Sequence, residues 1–304
     1  MAMLNLYAAT LLFLLSVGAF CVNSFGYHYP GNNYFPTHSS LFAITLVLMY
    51  GGFSLQFGRA SVPARIVKEI MFYFLVMCVI AFATNAAQYT PFPTIDKSIL
   101  SIETSLHIDL QMIVSWTHAK PMLKTLLTFI YDTLPFQMTY LPLFIIATGR
   151  IHYIREYYFF LLVSAIIGFS FYYFFPTTAP ASMFAHHYFS TEQQATGLKF
   201  MQIHQHIQPS TIEGGMIALP SFHVIWAWFC LYLLRGWALG ILLLLPINLL
   251  LMLSCALLGW HYPIDILGGF IVIFFTHGLY YLLQKKSGPS SMLARPILRT
   301  DHAH

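Results

Sequence analysis

An all-α integral membrane protein with about eight transmembrane helices is the fold predicted by three features of this sequence: its scarcity of charge, the length of its apolar runs and the uneven placement of its basic residues. Of 304 residues, 58% are hydrophobic and 8% are charged, where an ordinary soluble domain carries about 25% charged residues. So few charges cannot cover the surface of a soluble fold of this size. The apolar residues form eight runs, at 4–22, 39–57, 69–87, 126–147, 157–175, 217–234, 237–258 and 266–284. Each is close to the ~20 residues that a helix needs to cross ~30 Å of hydrocarbon. Lipid offers the backbone no hydrogen-bond partners, so runs of this kind form α-helices.

The basic residues orient these runs. Arg59, Arg65, Lys68, Arg150, Arg155, Arg235, Lys285, Lys286, Arg295 and Arg299 fall on one set of connections, and Lys97, Lys120, Lys124 and Lys199 on the other. An excess of Lys and Arg marks the cytoplasmic side, so both termini are expected there. Basic residues spread in this way read as topology anchors, and a nucleic-acid partner is not expected.

Run one lacks a basic n-region and is long for the apolar part of a signal peptide, so it is expected to remain as the first span. Cys21, Cys78, Cys230 and Cys255 lie in or beside spans without metal-type or disulfide-type spacing, and are expected to be buried, reduced thiols.

Three connections have a character of their own. Segment 23–38 is rich in Tyr, Asn, Gly and Pro and reads as turn-rich. Segment 88–121 opens with Pro91 and Pro93, then places Ile95, Ile99, Ile102, Leu106, Leu110 and Ile113 at helical spacing, as in a helix lying in the membrane interface. Segment 176–216 is the longest outer connection and holds His186, His187, Lys199, His204, His206, Glu213 and Gly214–Gly215. A polar loop of this length in so apolar a chain is usually functional.

Two short segments carry titratable groups where spans begin on the outer side. Ala218-Leu219-Pro220-Ser221-Phe222-His223 opens run six, and Gly259-Trp260-His261-Tyr262-Pro263-Ile264-Asp265 joins runs seven and eight. Proline suits the first helical turn, so Pro220 and Pro263 mark two helix N-termini. Free N–H groups make such termini anion sites, and a phosphate fits between them. With Pro263 first in its helix, Asp265 is third and reaches back towards His261, fixing its tautomer. His261 then offers its other nitrogen as a nucleophile, His223 protonates a departing oxygen, and Ser221 donates to a phosphoryl oxygen. Taken singly, each residue has an ordinary role: a histidine at an interface, an acidic residue on a helix dipole, a serine cap. Their coincidence on one face favours chemistry. Asp132, an ionisable residue within run four, is a candidate for either structural pairing or substrate contact.

Pro220-Ser221-Phe222-His223 resembles the Pro-Ser-Gly-His motif of the type 2 phosphatidic acid phosphatase superfamily, and Ser254 with His261-x-x-x-Asp265 resembles its Ser-Arg-x5-His-x3-Asp motif. From about 95 to 284 the chain looks like the bacterial branch grouped with inositol phosphorylceramide synthases (inositolphosphotransferase-like), on Tyr131-Asp132 near Gln137 and on Gly214-Gly215. The resemblance implies a six-helix catalytic core over 69–286, preceded by two helices in 1–68 and followed by a cytoplasmic tail, 287–304. It implies His261 as the nucleophile forming a phosphohistidine, Asp265 orienting it, His223 as general acid and then base, and Ser221 on the phosphate, with no metal or cofactor. The implied activity is that of a lipid phosphatase or phosphotransferase with a membrane lipid as substrate and its site on the exoplasmic face of a bacterial inner or other plasma membrane. The sequence departs from the family in three places: no Lys-x6-Arg-Pro motif is present, Cys255 stands at the arginine position, and Phe222 at the glycine position. Lys199, His204 and His206 are the candidates to replace the missing cations. The competing class is a non-catalytic transporter or scaffold, for which polar groups are expected at mid-membrane rather than at one face.

Overall fold

Among the described residues of the computed structural model, 1–28, 35, 37–184 and 186–286, every regular element is helical. The expected tail, 287–304, and residues 29–34 of the first outer connection lie outside the described residues.

Among the described residues, six helices are long and apolar enough to cross a membrane. They are α1 (Ala2–Cys21), α2 (Ser39–Phe57), α3 (Val62–Gln88), α8 (Ile151–Phe174), α11 (Ala238–Leu257) and α12 (Pro263–Lys286). Run four divides at Asp132–Thr133 into α6 (Pro121–Tyr131) and α7 (Leu134–Ala147), and run six contributes the 12 residues of α10 (Phe222–Leu233). Helices α3 and α8 begin ahead of their apolar runs, taking Arg65, Lys68 and Arg155 into their first two turns. Hydropathy alone marks only the apolar stretch of a helix whose end is charged.

The centre of the molecule is α8. Its residues Glu156 to Ala165 are buried without a break, because α1, α3, α7, α10 and α12 all pack around it. By contrast α2 buries only Leu46 and packs on α3. Its outer face, with Leu41, Ile44, Val47 and Leu48 more than half exposed, is the kind of surface that needs hydrocarbon rather than water.

Two ionic clusters mark one end of the bundle. Glu69 of α3 pairs with Arg155 of α8. Glu156 of α8 pairs with Arg235, accepts from the Tyr280 hydroxyl at 2.6 Å and meets His152 Nε2 at 2.7 Å. Buried carboxylates need such partners. The N-termini of α10 and α12, with both histidine motifs, lie at the opposite end.

Close approach at that end depends on two glycines. A Cβ on Gly269 of α12 would lie 3.0 Å from the Ser221 carbonyl oxygen and 3.0 Å from Val224 Cβ, and one on Gly168 of α8 would lie 2.7 Å from the Phe222 ring. Side-chain-free positions on two long helices thus let the Ser221–His223 segment sit between them.

The connections differ from the sequence expectation. Segment 88–121 forms two helices, α4 (Asp96–Ser105) and α5 (Leu110–His118), separated at His107, whose φ is 57°. Ile99 and Leu110 of the apolar stripe are buried, while Ile102 and Leu106 are 48% and 60% exposed. Segment 176–216 is not all loop: it contains α9 (Thr191–His204), started by a Ser190–Gln193 capping box.

Candidate active site

The site is built from the start of α12. Pro263 is its first residue, where a missing N–H costs nothing. Asp265, third in the helix, points back over the preceding turn: its Oδ2 lies 3.2 Å from His261 Nδ1 and accepts the Tyr262 N–H at 3.1 Å. Its backbone oxygen accepts the Ser221 N–H at 3.0 Å, which joins the two motifs. Asp265 is fully buried and His261 is 5% exposed. A carboxylate at Nδ1 places the proton on that nitrogen and leaves the Nε2 lone pair for chemistry.

Helix α10 brings the second motif. Pro220 lies before the helix rather than in its first turn, because Ser221 is the N-cap and Phe222 the first helical residue. Ser221 makes no side-chain cap bond. Its hydroxyl instead faces Cys255 Sγ at 4.0 Å. The first-turn N–H groups of α10 are therefore without a side-chain acceptor of that kind. At α12 the corresponding donors are taken: Tyr262 N–H by Asp265, and Ile264 N–H by Glu103 at 3.0 Å. The two helix termini that the sequence offers as anion sites therefore differ in their capping.

The His223 and His261 rings are 5.6 Å apart between centroids, at 61°. Tyr131 is stacked with His223, 4.3 Å away, and with Trp260, 5.4 Å away. Its hydroxyl lies 3.4 Å from His223 Nδ1. Among the described residues His223 has no carboxylate partner but an aromatic one, supplied by a helix 92 positions earlier in the chain.

A cavity of about 560 Å³ reaches His223. Its walls are apolar side chains of α2, α3, α7 and α10, among them Phe42, Met77, Met138 and Trp226, and Gly214 and Gly215 form part of its rim. A second, more polar pocket of about 370 Å³ lies beyond Trp260, lined by His118, Lys124, Asp132, Glu192 and Gln193. Asp132 is thus an exposed residue at the α6–α7 break, not one within a span.

The three candidate cations on α9 and after it are placed differently from one another. Lys199 is fully buried and donates to the Gly214 carbonyl at 3.0 Å. Burial draws its amine down to about 8, against the support of Glu213. It holds the glycine pair at the cavity rim. His204 lies 3.4 Å from the Tyr172 hydroxyl, and burial, then the charge of His206, lowers it to about 4. His206 is exposed, with a positive φ of 58°. A neutral His204 cannot act as the cation expected of it near neutral pH.

Sequence reasoning missed two carboxylates. Asp96 and Glu103 of α4 are both 1% exposed. Asp96 accepts from the Tyr262 hydroxyl, and Glu103 from the Ile264 N–H. The signal available was polar residues seven apart inside an interfacial segment, which reads equally well as a solvated face. Among the described residues, no group of three or more His, Cys, Asp or Glu is placed to hold a metal ion.

No curated protein and no solved structure matches the chain. The family model of the PAP2 superfamily matches residues 97–279, well over half of the sequence, and its span takes in both histidine motifs, Tyr131 and Glu103. The chain belongs to the PAP2 superfamily.

Proposed function

We propose that this protein is a membrane phosphoryl-transfer enzyme acting on lipid phosphate esters through a phosphohistidine. The observation that carries the reading is the apolar cavity of about 560 Å³ ending at His223, whose ring stands 5.6 Å from that of His261. The cavity suits an acyl or prenyl chain, and the polar groups at its end suit the phosphate.

In the first half-reaction His261 Nε2 attacks phosphorus and the P–O bond to the lipid alcohol breaks. His223 gives a proton to the departing oxygen. In the second, His223 takes a proton from water or from an alcohol, whose oxygen attacks the phosphohistidine and releases His261. Asp265 holds His261 and balances the charge it gains. Ser221 and the first N–H groups of α10 donate to the phosphoryl oxygens. Lys199 supports the rim through the Gly214 carbonyl.

Transfer to a lipid alcohol, as in the inositolphosphotransferase-like branch, is the finer form of this reading, and hydrolysis the coarser. Helices α7 and α10 complete eight crossings; at 14 and 12 residues they are about 21 and 18 Å long. The end with Arg155 and Arg235 is cytoplasmic, as are both termini, and the histidines face the exoplasmic side of a plasma membrane. A transporter that kept the fold is less well supported, because the polar cluster lies at one end and the α8 stretch Phe159 to Val163 is buried apolar side chains.

The test is lipid mass spectrometry on purified protein in mixed micelles, with phosphatidate, a polyprenyl diphosphate and a phosphoinositide offered in turn. Wild type releases phosphate or forms a new phospholipid, and an alkaline quench traps phosphate on the protein. His261→Ala loses both. Turnover by His261→Ala equal to wild type overturns the reading.

A further inference from the structure

We propose that α4 is a splint for the phosphoryl-transfer site, with Glu103 and Asp96 as positioning residues that hold the turn carrying His261 and Asp265. This rests on the function proposed above and extends it to a helix that contains neither motif.

The turn has two sides. His261 and Asp265 hold one another on the inner side. Between them Tyr262 and Ile264 reach to α4: the Tyr262 hydroxyl donates to Asp96 Oδ1 at 3.1 Å, and the Ile264 N–H donates to Glu103 Oε1 at 3.0 Å. Asp96 and Glu103 are seven residues apart, two helical turns, and so share one face of α4. Asp96 is itself fixed, because both its oxygens accept the Thr178 N–H, at 3.0 and 3.1 Å, and Oδ1 also accepts the Thr178 hydroxyl at 2.9 Å.

An ordinary structural cap does not need this arrangement. Helix N-termini are usually capped by a Ser, Thr, Asp or Asn at the N-cap itself. Here Tyr262 occupies that position, and an acceptor comes from 161 residues away. Two carboxylates are buried to reach one five-residue turn, although buried charge is costly. Glu103 accepts at one oxygen, while burial and the charge of Asp265 push its carboxyl up against the opposing Ile264 N–H. A neutral side chain of the same shape therefore does the same work. In-line attack by His261 demands such support, since a displacement of about 1 Å costs roughly 10²-fold in rate.

The experiment compares wild type, Glu103→Ala, Glu103→Gln and Tyr262→Phe as full chains in detergent micelles, by hydrogen exchange of the 260–266 segment and by steady-state kinetics. In Glu103→Ala the Ile264 amide exchanges about tenfold faster or more, as loss of one buried hydrogen bond implies. Its kcat falls about 10–100-fold while KM stays within about twofold, the pattern of misplaced chemistry rather than weakened binding. Glu103→Gln restores both readings to near wild type. Tyr262→Phe, which removes a single oxygen, carries the test if Glu103→Ala fails to fold, with faster exchange and lower kcat. Unchanged exchange and kcat in the variants that fold overturns the proposal, as does a loss in KM alone or a Glu103→Gln as impaired as Glu103→Ala. Exchange needs no turnover, so the splint is judged even if the lipid-phosphate reading fails.

Discussion

Tyr131 and His223 lie face to face, their rings 4.3 Å apart and 19° from parallel, and Trp260 also stacks with the tyrosine. An aromatic contact of this type is worth about 0.5–1.5 kcal/mol beyond burial. It restrains a histidine that has no carboxylate partner among the described residues. Tyr131→Phe keeps the stack and is expected to retain kcat within about threefold, whereas Tyr131→Ala frees the ring and lowers kcat by about tenfold, the scale of such a contact. Equal activity in both variants would remove Tyr131 from the positioning of His223.

His223 and Asp265 are expected to fail differently. Asp265→Asn preserves shape but weakens the hold on His261, and costs about two to four orders of magnitude in kcat by analogy with other orienting carboxylates. His223→Ala slows departure of a poor leaving group and is partly rescued by a p-nitrophenyl phosphodiester, which needs less protonation. Rescue of Asp265→Asn by the same substrate, without rescue of His223→Ala, would exchange the two roles.

Gly269→Ala tests the close approach of α12 to the second motif. The added methyl would stand 3.0 Å from the Ser221 carbonyl. Overpacking of this kind costs about 1–3 kcal/mol. The expected outcome is a lower melting temperature in detergent together with reduced kcat. Gly278→Ala on the same helix, where no atom lies within 4 Å, is expected to leave both unchanged.

Acid is expected to destabilise the segment around α9. His204 titrates at about 4 in the folded protein against 6.5 unperturbed, so between these values the unfolded chain binds more protons. Its contribution is complete above pH 6.5 and is lost as pH falls towards 4. Thermal unfolding of wild type at pH 7.5, 5.5 and 4 should show this loss, and His204→Gln should show a shallower one. Identical profiles would mean that His204 is not held neutral.

Orientation is open to direct labelling. In a Cys21→Ser background, which removes an exposed thiol, Glu192→Cys should react with an impermeant maleimide in intact cells. Arg59→Cys should react only after permeabilisation. The reverse pattern inverts the topology and places the histidines on the cytoplasmic side.

What could be read from the sequence was mostly local. His261 and Asp265 are four apart and bracket a proline, so their pairing follows from helix geometry alone. The long apolar runs announce themselves through hydrocarbon thickness. Contacts between distant segments left no such mark. Tyr131 meets His223 across 92 positions, and Ile264 meets Glu103 across 161. Run four looked continuous because Asp132 is one polar residue among many apolar ones, and hydropathy averages over a break of two residues. Segment 88–121 reads as one interfacial helix with an apolar stripe. Asp96 and Glu103 instead turn inward to satisfy the Tyr262–Ile264 turn, while Ile102 and Leu106 turn outward. In a bilayer an outward apolar side is no fault, so the usual inside–outside rule loses its sign. Lys199 was expected on a phosphate because it is cationic and near the motif, yet the Gly214 carbonyl claims it.

The apolar cavity has a kinetic corollary. Its walls come from α2, α3 and α7, whose own outer faces are greasy and exposed, so the lipid substrate proposed above would be drawn from the two-dimensional solution of the bilayer and not from bulk water. The relevant concentration is a mole fraction in the membrane plane. Diluting the micelles at constant composition should leave velocity per enzyme unchanged, whereas adding inert detergent at constant total lipid should slow it.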